Sequence, residues 1–225
     1  SMTSFLTQDR SLNFLAFAQH FEGRGDVGIA VQHYALDKID GFDTAGNPAG
    51  SFSDQELALG LSYANLIDYR FRYGITVRGL WQGLAEARAL GCGGELGIQF
   101  QPSLASGFTL GLNLQNPVGT LTWDSGRQDV VAPNLKLGLA DKTLNGRLAI
   151  AADMDLPLGA DGSPSPHLGA ELWLLEGLGV RGGLNRQSPS LGATWAYQFY
   201  QIDYAWEWDQ NQLGNSQQLS LILRF

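Results

Sequence analysis

Hydrophobic residues alternate with small or polar residues along most of the chain. Near the C-terminus, for example, Leu219, Leu221 and Leu223 alternate with Gln218 and Ser220. A period of two is typical of a β-strand that has one apolar and one polar face. No segment shows a convincing amphipathic helical pattern. The pattern therefore predicts an all-β protein.

The alternation predicts thirteen strands, approximately at residues 12–21, 27–36, 56–63, 69–82, 95–101, 108–115, 134–139, 147–155, 168–174, 180–185, 194–198, 200–208 and 214–225. Short connections alternate with a second, mostly longer set that includes Ile39 to Ser53, Gly83 to Gly93, Asn116 to Gln128 and Asp209 to Leu213. Short turns on one rim and longer loops on the other are typical of an antiparallel outer-membrane barrel. Because such a barrel has an even number of strands, one more strand is needed, from Met2 to Asp9 or from upstream sequence.

The polar face distinguishes two all-β folds that share this period. In a soluble sandwich it should carry many Lys, Glu, Thr and Asp residues, but here Gly, Ala, Ser, Gln and Asn dominate. Small polar residues suit the inside of a barrel, and aromatic residues near strand ends suit its interfacial girdles. Tyr69, Trp81, Tyr197, Tyr200 and Trp208 are such residues. The prediction is an antiparallel transmembrane β-barrel of 12 to 14 strands.

Charged residues on the predicted polar faces form a candidate lumen network of seven bases and seven acids: Glu56, Arg70, Arg72, Arg78, Glu95, Lys136, Arg147, Asp153, Asp155, Glu171, Arg181, Asp203, Glu207 and Arg224. The formal charge of -8 then belongs to the loops, the turns and the N-terminal tail. Balanced charges can pair across a confined lumen, which suggests a narrowed or plugged interior. A solute-selecting constriction and a structural salt-bridge network are both consistent with this set.

Composition excludes several other classes. The chain of 225 residues has 22 acids and 14 Lys plus Arg, which argues against nucleic-acid binding. Its single cysteine, Cys92 in a predicted loop, allows no internal disulfide. No apolar run is long enough for a transmembrane helix, and no signal peptide is recognisable; Ser1 and Met2 look like a cloning remnant. We therefore expect residues 1–10 to be a tail or partial strand and residues 11–225 to be one barrel domain.

Candidate chemistry is sparse. His20, His33 and His167 form no evident catalytic arrangement, so no enzyme activity, cofactor or catalytic residue is predicted. Asp37, Asp40 and Asp43 lie close together in a predicted loop and could in principle hold calcium. Their spacing does not match the calcium-loop pattern. We interpret them as a solvated acidic loop and predict no metal.

Several strings resemble outer-membrane barrels of the PorV type, within the broader fatty-acid-transporter-like (FadL-like) group. The clearest runs from Ile202 to Phe225 (IDYAWEWDQNQLGNSQQLSLILRF), and its residues Leu221, Leu223 and Phe225 match the C-terminal assembly signal of such families. GLNLQN, LKLGLA, AADMDLP, HLGAELWL and VRGGLN resemble successive strands of the same group. One departure is that no Asn-Pro-Ala-Gly plug segment precedes Ser11; the copy at Asn47 to Gly50 lies in a later loop.

The resemblance implies a protein of the bacterial outer membrane that contacts the lipid bilayer and passes a small or hydrophobic molecule. An alternative implied function is a non-conducting secretion-system accessory that docks a protein partner through its long loops.

Overall fold

A computed structural model describes residues 2–7, 10–103, 106–159, 162–208 and 215–225. The predicted loop from Asp209 to Leu213 lies outside these residues. The described chain forms sixteen strands: β1 (Met2–Thr7), β2 (Arg10–Phe21), β3 (Gly25–Phe42), β4 (Pro48–Leu66), β5 (Phe71–Leu84), β6 (Ala87–Phe100), β7 (Thr109–Gln115), β8 (Thr120–Trp123), β9 (Gln128–Val130), β10 (Asn134–Thr143), β11 (Leu148–Pro157), β12 (Ser165–Leu175), β13 (Leu178–Asn185), β14 (Ser188–Tyr197), β15 (Tyr200–Glu207) and β16 (Ser216–Leu223). All thirteen predicted strands are present.

Fourteen of these strands form a closed antiparallel ring. Strands β1 to β7 pair in chain order, β7 pairs with β10, β10 to β16 pair in chain order, and β16 pairs back with β1. The predicted barrel of 12 to 14 strands is therefore confirmed, and β1 is the additional strand that an even barrel requires. In the described ranges, no helix is long and apolar enough to cross a membrane.

The burial of side chains is inverted relative to a soluble protein. Among the described residues, the buried hydrophobic side chains are only Ala35 and Ala89, whereas Thr194 and Asp203 are buried polar residues. Large apolar side chains of the outward register remain about half exposed, as at Leu59. An apolar face without a protein partner requires an apolar solvent. The structure thus selects the transmembrane barrel over the soluble sandwich, and a barrel of this kind belongs in the bacterial outer membrane.

The barrel has two unequal sides. The tall wall, β2 to β6, has strands of 12 to 19 residues, whereas the short wall, β10 to β16, has strands of 8 to 11 residues. A tilted strand crosses a bilayer with about 9–11 residues. The short wall is therefore about as long as the membrane requires, and the tall wall extends beyond it.

Three predicted long loops are wrong in detail. The segment from Ile39 to Ser53 is mostly a continuation of β3 and β4, with β-bulges and a turn at residues 43–47. The segment from Gly83 to Gly93 contains only a two-residue turn, so Cys92 lies in β6 and not in a loop. The segment from Asn116 to Gln128 contains β8, which forms a hairpin with β9 and pairs with β6 beyond the end of β7. Glycines and bulges hid the strand period at these places.

Candidate functional site

Two rows of lumen-facing residues cross the junction of the two walls, between β5 and β12. The strand register aligns the first row as Arg72, Gln99, Gly111, Gly138, Asp153 and His167. The second row, directly beside it, runs through Gly74, Gly97, Asn113, Lys136 and Asp155. Four glycines of these rows leave a strip of bare backbone, which we call the glycine floor: Gly74, Gly97, Gly111 and Gly138. Polar and charged side chains flank it.

Two cavities lie on opposite faces of this part of the wall. The lumen cavity has a volume of about 610 Å³ and is lined by residues of both rows, including Arg72, Asn113 and Asp153. The outer groove has a volume of about 600 Å³ and is lined mainly by apolar residues of the outward register, such as Phe100 and Leu139. Both cavities contact Gly111 and Gly138. At these positions, therefore, backbone without side chains separates the lumen from the lipid-facing surface.

Ion pairs at the lumen surface join strands on the same wall. Lys136 and Asp155 are direct cross-strand partners with a nitrogen to oxygen distance of 3.0 Å. Arg78 pairs with Glu95 on the neighbouring strand. The prediction that these charges pair across the lumen and narrow it is therefore not supported by the pairs that the structure describes. In a sheet, opposite charges on adjacent strands are already within reach of each other.

The short wall carries the densest network. Arg181 lies 2.9 Å from Glu171 and 2.6 Å from Asp203, while the Thr194 hydroxyl donates to Asp203 at 2.8 Å. Gln201 donates two further hydrogen bonds to the Asp203 carboxylate, at 3.0 and 3.1 Å. Because Asp203 and Thr194 are buried, this carboxylate depends on its protein partners in place of water.

Three further residues of the predicted network form hydrogen bonds with neighbouring side chains. Glu56 accepts a hydrogen bond from Gln82 at 3.4 Å, Glu207 accepts one from Asn185 at 3.1 Å, and Arg224 donates to Gln201 at 2.7 Å.

Two predicted members of the lumen network lie elsewhere. Arg70 is in the turn before β5, where it donates to the Tyr69 hydroxyl at 2.6 Å and lies over its ring. Arg147 is in the turn before β11 and donates to the backbone carbonyls of Trp173 and Leu174, at 3.1 and 2.6 Å. Since both bases are at the rim with short turns, the predicted lumen set becomes acidic, not balanced.

Two charges beside the glycine floor have no oppositely charged partner within 4 Å among the described residues. Arg72 donates to the amide oxygens of Gln99 and Gln101, at 3.3 and 3.2 Å. Asp153 is exposed in the lumen. The buried Asn113 Oδ1 atom finds no hydrogen-bond partner, and the buried His167 Nε2 atom lies 3.6 Å from Asp155, beyond hydrogen-bonding distance. Since buried polar atoms are normally paired, this region is polar and incompletely satisfied.

The acidic tip of the tall wall is organised as a turn. The Asp43 carboxylate accepts hydrogen bonds from the backbone nitrogens of Ala45 and Asn47, at 2.9 and 2.8 Å, and from the Asn47 side chain at 3.1 Å. The hydrogen bonds from Asn47 hold the pKa of Asp43 below its usual value. No group of three or more metal-ligating side chains occurs among residues that the structure describes.

The β8–β9 hairpin was not predicted, because its strands of four and three residues are too short to show a period. Trp123 Nε1 donates to Asp129 at 2.6 Å, and Arg127 donates to the same carboxylate at 2.9 Å. These contacts, the tryptophan first, lower the pKa of Asp129. The hairpin packs closely on β6, where a Cβ atom added to Gly91 would overlap the carbonyl oxygen of Thr120.

Aromatic pairs mark the rim with short turns. Trp195 stacks on Tyr197 with ring centres 6.2 Å apart, and Phe225 stacks on Phe17 at 6.2 Å. Leu221, Leu223 and Phe225, the residues of the predicted assembly signal, are exposed on the outward side of the C-terminus. Their role in assembly stays a prediction.

Comparisons with known proteins place the fold. No family model and no curated protein sequence matches the chain. Among solved structures, the toluene transporter TbuX of Ralstonia pickettii has a TM-score of 0.64 at 15% identity, over 98% of this chain and 85% of that one. The toluene transporter TodX of Pseudomonas putida has a TM-score of 0.63 at 13% identity, over 97% and 84%.

A FadL homologue of Pseudomonas aeruginosa has a TM-score of 0.59 at 11% identity, over 94% of this chain and 77% of that one. At these identities the likeness shows the fold alone, which is that of FadL-like barrels, as the sequence resemblance implied. These proteins are described as transporters or FadL homologues and not as enzymes. The secretion-accessory alternative gains no support from them.

Proposed function

We propose that this protein passes a small, largely apolar molecule across the outer membrane. The observation that carries the proposal is the pair of cavities that share Gly111 and Gly138, one in the lumen and one on the apolar outer surface. A solute that reaches the lumen cavity is separated from the bilayer core only by bare backbone. The ion pairs described above join neighbouring strands and do not cross the lumen, which supports an open lumen. TbuX and TodX, which share the fold, are named as toluene transporters.

The test is uptake of radiolabelled toluene, at low concentration, by bacterial cells whose intact outer membrane is the barrier. We expect several-fold faster uptake with the protein than with an empty vector. Gly111→Trp should return uptake to the vector level, because an added Cβ has open space at this position and the indole would occupy the glycine floor.

Gly79→Trp is the matched control. Gly79 also has open space for a Cβ, but it pairs with Cys92 in the outward register of β5 and β6. This variant should retain uptake, with both proteins shown to be folded by their heat-modifiable migration on gels. Equal uptake by wild type and Gly111→Trp would contradict the proposal.

A further inference from the structure

The lumen cavity beside the glycine floor holds separated opposite charges. Arg72 stands at one end of the first row, held by two amide oxygens. Asp153 stands toward the other end, and an added Cβ on Gly138 would overlap its carboxylate, so the carboxylate lies over that glycine toward Arg72. In the second row, beside Asp153, Lys136 lies 3.0 Å from the Asp155 carboxylate and forms an ion pair with it. The unpaired charges therefore make the cavity dipolar.

Between the two charges, the first row holds the Gln99 side chain, which accepts a hydrogen bond from Arg72, and then only the glycines Gly111 and Gly138. A Cβ added to Gly111 would have no atom within 4 Å, and one added to Gly97 would meet only a backbone oxygen at 3.9 Å. Arg72 and Asp153 are separated by four strand spacings, about 19 Å along the wall at the usual spacing of strands. Since both side chains extend into this interval, the remaining gap is the length of a small molecule.

The surrounding polar groups are already positioned. The amide nitrogen of Asn113 donates to Glu95 at 3.3 Å, which fixes the orientation of this side chain. Its Oδ1 atom has no hydrogen-bond partner, and His167 Nε2, in the same cavity, lies 3.6 Å from the Asp155 carboxylate. A site with fixed side chains and unsatisfied hydrogen-bonding atoms is suited to a polar ligand.

The geometry points to a binding site for small molecules that carry a carboxylate at one end and a hydroxyl or amino group at the other, joined by a flat body. The planar guanidinium of Arg72 matches a carboxylate, with which it can form two parallel hydrogen bonds. The Asp153 carboxylate accepts a hydrogen bond from the hydroxyl or amino group. The flat body lies on the glycine floor. This inference goes beyond the proposed function, because it assigns to the same lumen cavity a ligand with charged or polar ends, whereas the proposed solute is largely apolar.

The test measures equilibrium binding by calorimetry to the full chain in lipid nanodiscs, with the heat of empty nanodiscs subtracted. The probes are 4-hydroxybenzoate, benzoate, which lacks the hydroxyl group, and phenol, which lacks the carboxylate. We expect 4-hydroxybenzoate to bind most tightly. Arg72→Gln should weaken binding of both acids about tenfold or more, the effect of losing a charged hydrogen bond. Asp153→Ala should weaken the binding of 4-hydroxybenzoate and leave the binding of benzoate unchanged.

Arg70→Gln is the matched control, because it makes the same chemical change at the rim, outside the cavity. Its affinities should equal those of the wild type. The inference is overturned if Arg72→Gln and Arg70→Gln bind 4-hydroxybenzoate equally, or if the three probes bind alike to the wild type. Binding needs no transport, so selective binding without toluene uptake would remove the proposed function while leaving this site in place.

Discussion

The tall and short walls use the same alternating pattern for different purposes. All five buried polar side chains of the described residues belong to the short wall: Ser165, Thr194, Gln201, Asp203 and Ser220. The tall wall instead buries two alanines and extends past the membrane into the β3–β4 ribbon and the support for the β8–β9 hairpin. The short wall thus holds a hydrogen-bonded polar cluster around Asp203, although Asn134 Oδ1 and Trp206 Nε1 in the same wall find no hydrogen-bond partner. The tall wall builds the parts that extend beyond the membrane.

The difference indicates where solute chemistry can occur. In the short wall, Arg181 forms ion pairs with both Glu171 and Asp203, so these three charged groups are already paired within the protein. At the junction with the tall wall, Arg72 and Asp153 remain available beside bare glycines. A polar network whose members are all hydrogen-bonded makes that part of the fold rigid. Side chains that have no partner in the protein can instead form hydrogen bonds with a ligand.

The largest effect is expected from Arg181→Leu. The substitution leaves Glu171 and the buried Asp203 without their cation, and breaking such a pair costs about 3 kcal/mol. Arg78→Leu in the tall wall should cost only about 1 kcal/mol, because Glu95 keeps hydrogen bonds from Asn113 and Gln115, at 3.3 and 3.1 Å. Urea unfolding in detergent micelles, followed by tryptophan fluorescence, measures both values. Equal destabilisation would remove the distinction between the walls.

A smaller, local effect is expected from Gly91→Ala. The added methyl group would overlap the Thr120 carbonyl, so β8 must move away from β6, at a cost of about 1–3 kcal/mol for overpacking. Trypsin should then cleave after Arg127, in the β8–β9 turn, about tenfold faster than in the wild type.

Gly79→Ala serves as its control. Gly79 lies in β5, which pairs with β6, and a Cβ added there meets no atom within 4 Å. Cleavage rates that do not differ between the two variants would mean that the hairpin does not depend on close contact with β6.

The sequence predicted the strands because alternation is a local property. All thirteen predicted strands form, and the apolar register faces outward as the small polar residues indicated. Local pattern failed where it was interrupted: the bulges near Lys38, which has a φ of 58°, and the glycines around Cys92 resembled loops.

The candidate site depends on register, which local patterns do not reveal. Gly74, Gly97, Gly111 and Gly138 are far apart in sequence and meet only because four strands align. Likewise, counting charges predicted a balanced lumen, but only the strand partners determine that Lys136 meets Asp155 while Arg72 meets two glutamines. Arg70 and Arg147 stand at alternating positions that would face the lumen in a strand. Both lie in turns, however, where the alternation does not determine which way a side chain points.

The inverted barrel is tested most directly by asking whether neighbouring residues of one strand face different solvents. In a Cys92→Ser background, single cysteines replace Leu59, which is 48% exposed on the outward face of β4, or Ala58, which faces the lumen. Each is labelled with a fluorophore in lipid vesicles. We predict that spin-labelled lipids quench the label at position 59 and that aqueous iodide quenches the label at position 58. Quenching of both labels by iodide, with neither reached by the lipid probe, would contradict the inverted barrel.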